Sequence, residues 1–322
     1  MVSACDAEAR ARGHQVVYAA TGPTVGLWRD AGLDVAAVET ADELDDAVPD
    51  ALDAVVTGTG FSTFEQDVWQ WARRRNLPSL AAIDAWSNLA RRFERDGKVV
   101  QPDAVAVIDN ATKAELQAVS GVTAAVHIVG QPHLQGQTAR VLAARQPRAG
   151  SRRVVFFSEP IRQDFGDGRG FDQYAVVSRL MGCVGADVEL LIKPHPREPV
   201  DEWLELTADA GGVRMTGDNA ADLLATADGA VGMTTMVLVE AHLLGLPILS
   251  LQPGRTDVLN PIIDEICHPV VDAGDFDAGW QAFVGRLGAR QPVADRFRDL
   301  LRDADRRLVA AMETVAARTD AE

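Results

Sequence analysis

The chain is poor in several kinds of residue, and each shortage excludes something. There are 3 cysteines in 322 residues, Cys5, Cys183 and Cys267, with no C-x-x-C pair and no plausible disulfide framework. That usage fits a reducing compartment. No apolar run reaches the ~20 residues that a membrane-spanning helix needs. The sequence as it stands carries no signal-peptide pattern, so the expected location is the cytoplasm. Lys and Arg total 31 against 47 Asp and Glu, a formal net charge of -16. A general nucleic-acid surface needs clustered cations, so nucleic acid is not an expected partner. H-E-x-x-H, a clustered His/Asp ligand set, a Walker glycine-lysine loop and a G-x-S-x-G elbow are all missing, and no metal site is expected. Low-complexity tracts and short-period repeats are missing too.

What remains is a chain with 47% hydrophobic residues, enough for two cores, in which short apolar strands alternate with helical stretches. The first half reads as a helix over Ala7–Arg12 and then a strand over Gln15–Ala20. A glycine-rich turn and an earlier strand normally precede such a pair, and only Met1–Ala4 do so here, so the first strand is expected to be short or missing. Further strands are predicted at Asp34–Val38, Ala54–Thr57, Ser79–Ile83, Pro102–Val107 and Val126–Val129, with helices between them. The polar run Gln146-Pro147-Arg148-Ala149-Gly150 marks the expected boundary, which gives domains of 1–148 and 149–322. The second half starts again with a strand at Arg153–Phe157, ending in Ser158-Glu159-Pro160, and another at Asp187–Ile192. Repeated strand–helix alternation predicts two doubly wound parallel sheets, and in such sheets ligands sit at the carboxyl ends of the strands.

Three strand ends carry residues suited to chemistry. The run Ala227–Pro253 reads as strand, small-residue turn (Gly232-Met233-Thr234-Thr235), helix, glycine stop and strand. A hydroxyl-rich turn opening a helix offers N–H groups, hydroxyls and a positive dipole end, which together suit phosphate. Glu240 stands about a turn and a half into that helix, within reach of a sugar hydroxyl. The second strand end is Lys193-Pro194-His195-Pro196-Arg197-Glu198. Two prolines restrict the backbone on either side of His195, so the imidazole is aimed, and Lys193 and Arg197 add local positive charge. The third is the first-half pair of Gly58-Thr59-Gly60-Phe61-Ser62-Thr63 and Asp84-Ala85-Trp86-Ser87-Asn88. Gly58-Thr59-Gly60 lacks the third glycine of a dinucleotide fingerprint, although Asp84 stands at a distance reminiscent of a ribose-binding acid. A nicotinamide-dependent enzyme therefore stays an alternative. The arginine-rich C-terminal region interleaves its cations with acids and reads as a solvated face.

The order of these features resembles the GT-B superfamily of nucleotide-sugar glycosyltransferases and hydrolysing UDP-N-acetylglucosamine 2-epimerases. The resemblance rests on two wound halves, a Lys-Pro-His-Pro strand end, and a Gly-x-Thr-Thr…Glu-Ala-x-x-x-Gly-x-Pro helix, and covers roughly Gly13 to Leu287. The His195-Pro196 pair is similar to the His-Pro motif of bacterial transferases that use CMP-activated sugars, and Thr234-Thr235 match the phosphate-binding hydroxyl pair of that group. The resemblance implies a GT-B-like α/β fold whose two Rossmann-like domains face a central cleft, and a metal-independent glycosyltransferase with no cofactor. The co-substrate would be a nucleotide-activated sugar, and the acceptor a small molecule or a glycan. Ser158, Lys193, His195, Pro196, Arg197, Thr234, Thr235 and Glu240 would bind the nucleotide and its phosphates. Thr59, Gly60, Trp86 and Asn88 would line the acceptor side. Asp84 would be the general base, and His195 would assist the leaving group. A C-terminal helix within Val293–Arg318 would return to the first domain. A homodimer is compatible with all of this. Departures from the epimerase pattern are Thr59 where an acid is expected, Ser158-Glu159-Pro160 where a His-Arg-rich segment is expected, and no Pro-Glu-Glu acid pair after Asp84. A hydrolysing 2-epimerase is therefore the alternative activity, followed by a non-catalytic nucleotide- or glycan-binding relative. The Ala-, Arg- and Asp-rich composition fits a bacterial source.

Overall fold

The computed structural model describes residues 2–60, 62–119, 121–145, 150–208 and 210–317. Thirteen strands are found among them: β1 Tyr18–Ala20, β2 Val35–Ala37, β3 Val55–Thr57, β4 Ser79–Ala82, β5 Glu94–Arg95, β6 Lys98–Val99, β7 Ala104–Val107, β8 Ala125–Ile128, β9 Arg152–Phe157, β10 Val188–Lys193, β11 Val213–Met215, β12 Gly229–Gly232 and β13 Ile248–Ser250. The chain forms two compact units, Met1–Gly136 with Asp299–Glu322, and Gln137–Arg298. The boundary expected from the Gln146–Ala149 run falls on residues outside the described ones.

The first unit is built on a four-stranded parallel sheet, β3-β4-β7-β8. Its central strands are buried on both faces, and successive side chains point to opposite sides. Leu80, Ala82, Ala104 and Ala106 share one cluster with Cys5, Ala9, Leu308, Val309, Ala311 and Val315. Ala81, Ile83, Val105 and Val107 share another with Trp69, Leu89, Phe93 and Leu116. The Ala304–Ala316 helix thus covers one face of this sheet, and the Phe64–Arg74 helix covers the other. Strands β1 and β2 pair only with each other, in parallel, in a separate two-stranded sheet. They are three residues long, and Tyr18, Ala20 and Val35 close a small core of their own with Val25, Trp28 and Leu33. Where a short first strand was expected, Val2–Cys5 form a single 3₁₀ turn running into the Asp6–Ala11 helix. The hairpin β5–β6, turning at Asp96-Gly97, was not anticipated.

The second unit holds a five-stranded parallel sheet in the order β11-β10-β9-β12-β13. The chain enters at the central strand β9, winds outward to β10 and β11, then returns to the other side of β9 for β12 and β13. The winding reverses between β9 and β12, and a doubly wound sheet opens a crevice at the carboxyl ends of its strands there. The core joins Val154, Phe156, Leu190, Ile192 and Val231 to Tyr174, Val177, Leu180 and Trp203, with Phe276, Trp280 and Phe283 beyond. Gly232 ends β12 where a Cβ would lie 3.2 Å from the Phe157 carbonyl and 2.9 Å from the Thr235 methyl, so β9 and the turn close up only around a glycine. No helix among the described residues is long and apolar enough to cross a membrane.

Candidate functional site

In the second unit, the strand ends expected to carry chemistry meet at the reversal between β9 and β12. After β12 the chain turns through Met233 and Thr234 into the Met236–Leu243 helix, whose N-cap is Thr235, with its hydroxyl accepting from the Val237 N–H at 3.3 Å. The turn is held from behind. Ser250 Oγ and Gln252 Nε2 donate to the Met233 carbonyl at 2.6 and 3.1 Å, and Asn260 Nδ2 donates to the Thr234 carbonyl at 2.9 Å. Its N–H groups point forward to the end of β9.

Sequence reasoning left those donors free for a ligand. In the structure they are taken by Glu159. The Thr234 N–H donates to Glu159 Oε2 at 2.6 Å, and the Thr234 hydroxyl donates to Oε1 at 2.8 Å. Burial pushes the Glu159 carboxyl up to about 7, although the Thr234 and Thr235 donors pull it down; the neighbouring Glu198 adds to the rise. An anion of the protein itself therefore sits where phosphate was expected.

Glu198 organises the other strand end. It is buried, accepts from the Ser158 hydroxyl at 2.8 Å, and accepts from the His195 N–H at 2.6 Å. Burial raises its pKa, and those two bonds oppose the rise. Ser158 is thereby committed within the protein, and the loop after β10 is tied to the end of β9. His195 Nδ1 accepts from the Arg197 N–H at 3.2 Å, which assigns the imidazole proton to Nε2. Burial lowers the His195 pKa, Arg197 and Lys193 lower it further, and Asp164 opposes them. The ring is a neutral, half-buried donor through Nε2. The two nearby cations are engaged. Arg197 makes a bidentate pair with Asp164 at 2.7 Å on each side, and the Lys193 ammonium donates to the Gly217 carbonyl at 3.3 Å. Pro196 is exposed and restricts the backbone after His195.

Glu240 stands in the second turn of the Met236–Leu243 helix with no hydrogen bond to its carboxylate among the described residues. Burial raises its pKa to about 7, and Arg140 partly offsets that.

The first unit holds a second group of the predicted residues. Arg92, only 5% exposed in its side chain, donates through Nη1 to the Thr59 carbonyl at 2.6 Å, the Thr59 hydroxyl at 2.7 Å and Asp84 Oδ1 at 2.8 Å. The guanidinium thus brings Thr59 and Asp84 together, and leaves Asp84 57% exposed. The turn itself is closed by Glu65, which accepts from the Gly60 N–H at 3.2 Å and the Ser62 hydroxyl at 2.9 Å. Trp86 is buried, and its indole N–H donates to Asp109 Oδ2 at 2.9 Å. Asn88 is exposed in the left-handed region, at φ 58°. Phe61 lies outside the described residues. Sequence reasoning missed Arg92, which sits in an Ala-Arg-Arg-Phe run that looks like surface, and it missed Gln252 and Asn260 behind the turn. It noted Glu159 only as a departure from a familiar pattern. Among the described residues, no group of three or more His, Cys, Asp or Glu is placed to hold a metal ion.

The whole chain is similar in fold to solved proteins of one architecture. A UDP-GlcNAc 2-epimerase from Methanocaldococcus jannaschii matches over 97% of this chain and 96% of that chain, at TM-score 0.70 and 11% identity. The glycotransferase of kitacinnamycin matches over 97% of this chain and 94% of that chain, at TM-score 0.61 and 15% identity. No protein-family model matches this chain, and no curated protein matches it in sequence. This is the GT-B fold, as the arrangement of motifs led us to expect.

Proposed function

We propose that the protein is a GT-B glycosyltransferase that takes a sugar from a nucleotide-activated donor, with the donor held at the β9/β12 reversal of the second unit. The observation that carries this reading is the meeting there of a hydroxyl-bearing turn at a helix N-terminus with the ends of β9 and β10, through Glu159 on Thr234 and through Glu198 on Ser158 and the His195 N–H; the helix that the turn opens also carries Glu240, with no hydrogen bond to its carboxylate among the described residues. A glycosyl phosphate leaves as an anion. Once Glu159 has given them up, the turn's N–H groups, with the helix dipole and the His195 Nε2–H, suit that developing charge. Glu240 suits a ribose hydroxyl. In the first unit, Asp84 is the candidate general base for the acceptor, oriented by Arg92 through one oxygen. The reaction as proposed needs no metal and no cofactor.

A hydrolysing epimerase is the second reading. It is favoured by the Glu159 and Glu240 carboxyls, both raised to about 7 and so suited to proton transfer in either direction.

The test is a thermal-shift panel with CMP-, CDP-, UDP- and GDP-sugars and NAD, followed by product analysis of any ligand that binds. Ligand at about 100 times its Kd stabilises by about 2.7 kcal/mol, a shift of several degrees. Nucleotide-sugar stabilisation, with sugar transferred only when acceptor is present, is the expected result. Release of nucleotide without acceptor would favour the epimerase. Stabilisation by NAD alone would overturn both.

A further inference from the structure

The Glu159 carboxylate occupies the donors that a phosphate would use. Among the described residues it is anchored to no cation: it accepts from the Thr234 N–H and hydroxyl and from the Thr235 backbone, and the charged group that perturbs it is another carboxylate, Glu198. A buried carboxylate held only by neutral donors and facing a like charge is poorly neutralised. It comes from the segment that follows β9, 75 residues from Thr234 in sequence, so it can leave without unfolding the turn. The turn's carbonyls stay fixed by Ser250, Gln252 and Asn260 whether Glu159 is seated or not.

We propose that Glu159 is a resident anion of the site, and that the donor's phosphate binds by exchange with it, taking over the Thr234 and Thr235 donors that Glu159 gives up. This deepens the proposed function and rests on it. Glu159 is on this view a specificity-determining residue: a ligand enters only if its anionic group outcompetes an intramolecular carboxylate for the same hydrogen bonds. Neutral sugars and nucleosides, which cannot, leave the turn closed.

The exchange has a proton attached to it. A carboxylate displaced within the crevice keeps the burial that raises its pKa, loses the Thr234 and Thr235 donors that lower it and gains a phosphate neighbour that raises it, so on this proposal binding draws a proton onto Glu159. With the free-state value at about 7, ligand affinity falls as pH rises above 7 and levels off below it. Glu240, on the helix that the turn opens, is also raised to about 7 and adds a pH dependence of its own, which is common to wild type and the Glu159 variants. His195 has a lowered pKa and stays neutral through this range. Lys193 is donating to Gly217, and Arg197 is paired with Asp164. Glu198 also has a raised pKa, but it remains tied to Ser158 and the His195 N–H in both states. Phosphates of nucleoside diphosphate sugars are fully ionised across the window and contribute no pH dependence of their own.

The experiment is isothermal titration of the full chain with UDP-N-acetylglucosamine, UDP-glucose, GDP-mannose and CDP-glucose at pH 7.0, 7.75 and 8.5, using wild type, Glu159→Gln and Glu159→Asp. For a sugar nucleotide that binds, wild-type affinity should fall several-fold to about tenfold per pH unit, with proton uptake read from the dependence of heat on buffer ionisation. Glu159→Gln should bind at least tenfold more tightly at pH 8.5, with a fall in affinity above pH 7 shallower than that of wild type. Glu159→Asp, one methylene too short to reach both donors, should fall between. A Glu159→Asp profile identical to wild type in affinity, slope and proton uptake would overturn the exchange even if Glu159→Gln failed to fold. Equal affinities and slopes for wild type and Glu159→Gln would overturn it as well. Failure of every sugar nucleotide to bind wild type and both variants would instead overturn the proposed function, and the exchange with it.

Discussion

Two turns of small residues leave the carboxyl ends of parallel strands, one in each unit: Gly58–Thr63 after β3, and Gly232–Thr235 after β12. Both open a helix, and both present backbone N–H groups to whatever lies ahead. The first is closed by Glu65, from the helix it opens, only five residues from Gly60. The second is closed by Glu159, from the segment that follows the neighbouring strand β9. The sheets behind them differ in the same sense. In the first unit the order β3-β4-β7-β8 runs outward without reversal, whereas in the second it reverses between β9 and β12. A local carboxylate belongs to the helix and stays with it. A carboxylate delivered across a reversal point sits where a doubly wound sheet opens its crevice. Two turns that look alike are therefore closed in different ways, and on the reading proposed above one completes a helix while the other is a ligand site in its closed form.

This contrast can be broken or sharpened by experiment. The largest expected effect belongs to His195→Ala, which should lower turnover by about 10²–10⁴-fold while leaving the melting curve in place; near-wild-type turnover in a rate assay would remove His195 from the chemistry. Next is the pH dependence of stability. The folded-state Glu240 carboxyl is raised to about 7 from an ordinary 4.5, so its proton is held more tightly in the folded protein. Its contribution is neutral below about 4.5, turns increasingly unfavourable as pH rises to 7, and is fully unfavourable above that. Glu240→Gln should raise stability at pH 8 by about 1–3 kcal/mol relative to pH 4.5 and weaken nucleotide-sugar binding, as read by denaturant titration and calorimetry. In the first unit, Arg92→Met should cost about 2 kcal/mol by leaving the Thr59 carbonyl unpaired, and should lower turnover more than donor affinity because Asp84 loses its anchor. A smaller effect follows Glu65→Ala: about 1 kcal/mol of stability with nucleotide affinity unchanged, since the Gly58–Thr63 turn is closed for structural reasons. A change in nucleotide affinity here would erase the distinction between the two turns. Chelators should leave turnover unchanged; a chelator-sensitive rate would contradict the metal-independent mechanism.

Much of the fold could be read from residue order. The strands β3, β4, β7, β9, β10, β12 and β13 fall where apolar runs stand between turn residues, because a strand buried on both faces tolerates little else. The Met236–Leu243 helix begins at its Thr cap and stops before Gly245, at φ 71°, since both signals are local. The β5–β6 hairpin was harder to see: two strands of two residues leave almost no periodicity. The isolation of β1 and β2 was hidden as well, because pairing between strands is decided by which core closes first. Within the site, the constraint on His195 was legible from its flanking prolines. Arg92 was not, because a buried arginine and a solvated one look the same until Thr59 and Asp84 are brought to it.

The sequence by itself determined the alternation of strands and helices, the caps and stops, and the side chains available at each strand end. These depend on residues a few positions apart, through hydrogen-bond geometry and side-chain periodicity. The tertiary structure alone decided which strand ends meet. It set Glu159 against Thr234 and Glu198 against Ser158, and it buried Glu240 with only a coulombic offset from Arg140. Electrostatics inside a protein depends on distance through space and on burial, and neither is written in the spacing of residues along the chain.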